Sequence, residues 1–160
     1  SGAAAVAEHF GQVFQADMLT IDKPELLDKF DYIFMGDVLE HIVDTDGALA
    51  KVYSWLKKGG QLIVSVPNIA NISIITNMLM GKWHYGDSGI LDRTHMRFFT
   101  YKEMVENLAR HNFTVKTSAY SHLNFESPAP ELREALLNLP FIKVDPRDLD
   151  AFQWVFVAEK

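Results

Sequence analysis

Residues 30–68 constrain the fold more than any other stretch of the chain. They read FDYIFMGDVLEHI, then VDTDGALAKVYSWLKKGG, then QLIVSVPN. Residues 32–36 form a short run that is apolar on both faces, as a buried parallel strand requires, and it ends in an acidic loop. A helix is then expected over residues 44–58. Asp44, Thr45 and Asp46 offer capping oxygens, Leu49, Val52 and Leu56 fall on one stripe, and Lys57 and Lys58 suit the negative end of the helix dipole. Gly59 is the expected stop, and residues 62–66 form a second apolar run closed by Pro67. Strand, crossover helix and strand make one unit of a parallel sheet. In such sheets ligands bind beyond the carboxyl ends of the strands, which is where Gly36, Asp37, Glu40 and His41 fall.

The remainder of the chain extends this pattern. Residues 3–10 read as the tail of a helix, residues 13–16 as a short strand ending at Asp17, and residues 21–29 as a short helix with Pro24 at its start. A helix over 69–80 is expected to end at Gly81, followed by a long aromatic and charged loop over 83–99. Thr100 and Glu103 have the spacing of a capping box, opening a helix that runs to about Arg110. Strands are expected at 114–120 and 152–158, the last antiparallel to its predecessor. Between them residues 124–150 hold four of the six prolines and read as an insertion or lid within one domain spanning 1–160.

Composition narrows the function. The chain has 160 residues, 48% of them hydrophobic, which is enough for one domain with its own core. A net charge of −6 argues against a general nucleic-acid surface, because phosphate binding needs clustered Lys and Arg. There is no cysteine, so disulfides, thiolate chemistry and cysteine metal sites are excluded, in keeping with a cytoplasmic location. No apolar stretch reads as membrane-spanning, no signal peptide is recognisable, and Ser1-Gly2 reads as an expression scar.

Three segments, FDYIFMGDVLEHI, LKKGGQLIVSVPN and GILDRTHMRFFTYKEMVENLARHNFTV, occur in this order. Together they resemble the S-adenosylmethionine-dependent methyltransferases of the Rossmann-like class. The likeness is to the group containing quinone-biosynthesis O-methyltransferases and the methyltransferases of bacterial surface-polysaccharide clusters. It covers roughly residues 3–160. The resemblance implies an α/β fold with a mostly parallel sheet and an antiparallel C-terminal hairpin, and S-adenosylmethionine as cofactor. The family's first two strands and its glycine-rich cofactor loop have no counterpart here. The chain therefore reads as a fragment, expected to bind the cofactor weakly and to be inactive alone. It is also expected to expose a sheet edge through which it could form a homodimer.

The resemblance also implies roles. Asp17 would accept a hydrogen bond from the adenine amino group and the Met18 N–H would meet the ring. Gly36, Asp37 and Val38 would pass under the methionine part of the cofactor. From residue chemistry, His95, with His41, is the candidate to take a proton from an acceptor, since imidazole titrates near neutral pH. Arg93 and Arg97 can hold an anionic group on a substrate, or form ion pairs with Asp92 that pin the loop. Trp83 and Tyr85 can line an acceptor pocket or anchor the same loop. Glu40 and His41 can orient their loop, touch the acceptor or bind a divalent cation. One His and one or two carboxylates are too few ligands for a metal to be assigned. The acceptor expected is a small molecule such as a sugar or phenol, and the competing reading is a non-catalytic interaction module.

Overall fold

The computed structural model describes residues 13–122 and 129–160. A four-stranded sheet forms its frame, built from β1 (Phe30–Gly36), β2 (Leu56–Pro67), β3 (Thr114–Ser121) and β4 (Gln153–Glu159) in the order β1-β2-β4-β3. β1 and β2 pair in parallel, while β4 runs antiparallel to both of its neighbours. β1, β2 and β3 thus point one way and β4 alone returns, giving the mostly parallel sheet with an antiparallel C-terminal hairpin. The helices are α1 (Thr45–Trp55), α2 (Ile72–Leu79), α3 (Tyr101–Arg110), α4 (Pro130–Leu137) and α5 (Pro146–Asp150). No helix among the described residues is long and apolar enough to cross a membrane.

Alternation along the strands decides which side chains form the core. Met35, Leu62, Val64, Val66, Trp154, Phe156 and Ala158 share one face, packed against Leu49 and Val52 of α1 and Met104 and Leu108 of α3. Each large apolar side chain buried in this way contributes roughly 1.5–3 kcal/mol. Tyr101 lays its ring against Trp154 and Phe156, with centroids at 4.6 and 5.4 Å. The opposite face of β1 is open: Tyr32 is 67% exposed and Phe34 71%. The sequence reading of this strand as buried on both faces is corrected here, because no described element shields Tyr32 and Phe34 on that face.

Other elements differ from the sequence reading for local reasons. Residues 13–16 form no strand, and β1 pairs with β2 alone, its outer side free among the described strands. The helix expected to reach Lys58 ends at Trp55, because buried Leu56 already pairs with Phe30 and Lys57 bonds Asp31. Gly59, at φ +76°, therefore lies within β2 rather than ending a helix, and a Cβ on Gly60 would come within 3.0 Å of the Phe30 carbonyl oxygen. The helix expected at 21–29 shrinks to a 3-10 turn at Pro24–Leu26. Asp28 breaks it by turning to φ +45°, where its N–H donates to the Ser54 carbonyl. The helix expected from Ile69 starts at Ile72, capped by Asn71, whose side chain accepts from the Ser73 N–H at 3.0 Å. It ends as expected at Gly81, at φ +70°.

Thr100 caps α3 by accepting from the Glu103 N–H, while the Glu103 carboxylate pairs with Arg110 rather than closing the box. Within the expected lid, residues 124–128 lie outside the described residues, as does the helix tail expected at 3–10. The rest of the lid forms α4 and α5, tied by the Arg133 guanidinium bonding both carboxylate oxygens of Asp150 at 2.7 and 2.6 Å.

Candidate functional site

The carboxyl ends of β1 and β2 and the start of β4 meet at a cavity of about 230 Å³. Its polar wall comprises Asp37, Glu40, Asp92, His95 and Gln153, and Phe152 supplies apolar surface. Asp37 follows β1 directly and takes a left-handed conformation, φ +52°. That conformation is held by its N–H donating to Ser65 Oγ of β2 at 3.2 Å and by its carboxylate accepting from the Gln153 side chain of β4. The residue whose backbone turns at the strand end is thus Asp37. At Gly36 the space that a Cβ would need is filled by the ring of Phe34, 2.6 Å away.

A 3-10 turn at Leu39–His41 then turns Glu40 inward. Glu40 is 1% exposed, and neither oxygen of its carboxylate has a hydrogen-bond partner among the described residues. Burial pushes this carboxyl above its ordinary range and the charge of Asp37 adds to the rise. Its own backbone N–H opposes this, by more than Asp37 contributes, and His41 and His95 pull the same way as the N–H, though less than Asp37 pushes. The Glu40 carbonyl, by contrast, is fully used: the N–H groups of Met96 and Arg97 donate to it at 2.7 and 3.1 Å. These two bonds bring the loop carrying His95 onto the β1 end.

The two imidazoles are oriented by backbone carbonyls. His95 Nδ1 lies 2.9 Å from the Ile90 carbonyl, which can only accept, so Nδ1 carries a proton and Nε2 is the nitrogen left open. His41 Nδ1 lies 3.2 Å from both the carbonyl and the hydroxyl of Thr94. The Thr94 hydroxyl donates to Asp92 at 2.6 Å, so His41 Nδ1 donates to the carbonyl and its Nε2 is likewise the open nitrogen. The rings meet edge to face, centroids 4.9 Å apart. Glu40, His41 and His95 each bring one potential ligating atom within 4.8 Å of the others.

Asp92 accepts from the Thr94 N–H and O–H, which hold its carboxyl below the ordinary range. The loop is pinned by this turn and by its own small core of Ile90 and Leu91 against Ile74, and not by an ion pair of Asp92 with either arginine. Arg93 pairs with Asp87 at 2.6 Å, and Arg97 donates to the Val43 carbonyl at 2.9 and 2.6 Å. Arg97 lines a separate hollow of about 550 Å³ between the start of α1 and α3. Neither arginine lines the cavity at the strand ends. Trp83 and Tyr85 cluster with Phe98, centroids 5.8 and 6.5 Å from it, and also stand outside the cavity wall.

Asp17 is exposed and closes its own turn, its side chain accepting from the Leu19 N–H at 2.8 Å, while Met18 and Val38 pack against the main core. Sequence reasoning thus brought Asp37, Glu40, His41 and His95 to one place. It missed Ser65, Thr94 and Gln153. Gln153 sits more than a hundred residues from Asp37 in the chain, and only strand pairing could have found it.

Among the described residues, a cavity at the strand ends with carboxylates on its wall fits a cofactor that carries positive charge on a sulfonium and an α-amino group. Comparisons with known proteins agree. The fold matches an S-adenosylmethionine-dependent methyltransferase from Thermotoga maritima at TM-score 0.61 and 19% identity, covering 98% of this chain and 68% of that one. It also matches the 1,6-didemethyltoxoflavin-N1-methyltransferase of Burkholderia thailandensis, solved with S-adenosylhomocysteine, at TM-score 0.57 and 17% identity, covering 98% of this chain and 55% of that one. Phosphoethanolamine N-methyltransferase 2 of Caenorhabditis elegans is 25% identical over 108 residues, which are 68% of this chain and 21% of that protein. A family model described as a methyltransferase domain matches residues 3–118, and the chain belongs to that family, the S-adenosylmethionine-dependent methyltransferases of the Rossmann-like class.

Proposed function

We propose that this chain carries the acceptor side of a methyl-transfer site, at which a small molecule presents an oxygen or nitrogen to the methyl group of S-adenosylmethionine. The observation that carries the reading is His95: its Nδ1 is fixed on the Ile90 carbonyl and the residue lines the cavity at the strand ends. A neutral imidazole held with one nitrogen protonated is set to accept a proton at the other. His41, edge-on to His95 and fixed on Thr94, supports that ring's orientation. When bound, the cofactor supplies an already activated methyl group, so the protein's work is positioning and the exclusion of water. Gly36, Asp37 and Val38, at and just beyond the end of β1, are the residues of this chain proposed to meet the methionine part. Asp17 and Met18 are proposed to meet the adenine.

The test is release of S-adenosylhomocysteine with a panel of amine, sugar and phenol acceptors, using protein that contains this chain. His95→Gln is expected to lower kcat by about a hundredfold or more while cofactor affinity holds. An unchanged kcat would remove His95 from the chemistry.

A second reading, an interaction surface, is favoured by one observation, the open face of β1 with Tyr32 and Phe34 in solvent. A homodimer through this edge is the form it would take, and light scattering over a concentration series decides it.

A further inference from the structure

The polar groups around the cavity are unequally satisfied within the fold. Three carboxylates line it, those of Asp37, Glu40 and Asp92, and among the described residues no Lys or Arg does. The two arginines nearest in sequence are occupied elsewhere, on Asp87 and on the Val43 carbonyl. A phosphate or carboxylate on the acceptor would therefore meet three acids and no countercharge. Two of the acids are already served, Asp37 by Gln153 and Asp92 by Thr94. Glu40 is the exception, buried with two unpartnered oxygens. Leaving a buried charged acceptor unsatisfied is costly, which makes it a mark of a group awaiting a partner.

What surrounds Glu40 is also short of donors. In the neutral form His41 and His95 spend their Nδ1 protons on carbonyls, leaving a lone pair at Nε2 of each. One potential ligating atom from each of the three residues lies within 4.8 Å of the others. A hydroxyl brings one proton and satisfies one of them. A protonated primary amine brings three and a charge. Around such a nitrogen, with hydrogen bonds of about 2.8 Å, three acceptors stand about 4.6 Å apart. The same bound of 4.8 Å also admits a divalent ion, so zinc enters the test as a competing ligand.

We propose that the acceptor of this protein is an amine, bound as its ammonium form against Glu40 and relieved of a proton by His95. The proposal rests on the methyl-transfer reading and narrows it from oxygen or nitrogen to nitrogen, setting aside the sugar hydroxyl and the phenol. The step it adds is a proton transfer: one N–H bond breaks, the proton passes to His95 Nε2, and the pair left on nitrogen is the nucleophile.

The experiment needs neither turnover nor cofactor. Histidine ring C–H signals of the chain are followed by proton NMR, His95 being assigned by their loss in His95→Gln. Ethanolamine, ethylene glycol, acetate and zinc chloride are titrated separately. Ethanolamine is expected to move the His95 signals saturably with Kd on the order of millimolar, as suits so small a probe. Ethylene glycol and acetate are expected to be at least tenfold weaker. Glu40→Gln, checked for folding by circular dichroism, is expected to abolish the preference.

Equal response to glycol, or none to ethanolamine, overturns the proposal. Zinc binding that excludes ethanolamine and is lost in Glu40→Gln overturns it in favour of a metal site. Competition between S-adenosylhomocysteine and ethanolamine overturns it by giving Glu40 to the cofactor's amino group. The preference among probes in the unaltered chain stands whether or not any variant folds. Failure of the methyl-transfer reading would appear separately, as absent S-adenosylhomocysteine release.

Discussion

Replacing Glu40 by Gln is predicted to make the protein more stable at neutral pH while removing its function. Glu40 is 1% exposed and its two oxygens lack donors. An unsatisfied buried acceptor costs about 1–3 kcal/mol, and more when it is charged. Gln keeps the shape, removes the charge and supplies an NH2 that can donate to His41 or His95. A gain of about 1–2 kcal/mol at pH 8 follows, or roughly 2–8 °C in Tm for a chain of this size.

The sign of the pH dependence follows from the raised pKa of Glu40. The folded state binds the proton more tightly than the unfolded state. The penalty on the native protein is therefore absent below the unfolded pKa, near 4.3, grows as pH rises through the folded pKa, and is constant above it. The two proteins should converge near pH 4 and diverge toward pH 8. The other carboxylates are common to both and cancel in the difference. Urea unfolding of both, with a chelator present, measures the gap. A Glu40→Gln protein that is less stable at pH 8, or a gap that ignores pH, would refute the reasoning and mean that the carboxylate already has a partner in the folded chain.

Three further outcomes are expected. Asn68→Leu should cost about 3 kcal/mol in urea unfolding. The buried amide donates to the carbonyls of Asp148 and Ala151 at 2.7 and 2.9 Å and accepts from the Ala70 N–H at 3.1 Å, all of which Leu would abandon. Thr100→Ala should cost about 1 kcal/mol by removing the cap of α3, read as a lowered Tm. Phe34→Ser, at a side chain 71% exposed, should change stability by no more than about 0.5 kcal/mol yet lower any self-association seen by light scattering.

The parts of the fold that were legible are those whose signal lies within a few residues. Apolar runs marked β1 and β2, and Thr100 marked the start of α3, because a strand's burial and a helix's cap are written locally. The misreadings share one cause, which is that partners distant in the chain are not written locally. Leu56, Lys57 and Lys58 have the composition of a helix end, but the pairing of Leu56 with Phe30 draws them into β2. Residues 13–16 have strand composition, yet they pair with no described strand. The apolar character of Tyr32 and Phe34 was readable, and whether another layer covers their face of the sheet was not.

In the site, the sequence placed Asp37, Glu40, His41 and His95 together but could not rank them. His95 drew attention because imidazole titrates near neutral pH, and Arg93 and Arg97 because guanidinium groups bind anions. Geometry reversed the weight of these arguments. Arg93 bonds Asp87 and Arg97 the Val43 carbonyl, both away from the cavity at the strand ends. Glu40 had looked like half of an incomplete ligand set. It is the group whose state is least settled by the folded chain, and that follows from two facts that no spacing reveals. The turn Leu39–His41 sends its side chain inward, and the backbone of Met96 and Arg97 satisfies its carbonyl while leaving its carboxylate untouched. On the amine proposal, two hydrogen bonds fix the main chain of Glu40 so that its buried side chain stands ready for an ammonium group, in keeping with a described cavity wall that carries carboxylates and no Lys or Arg.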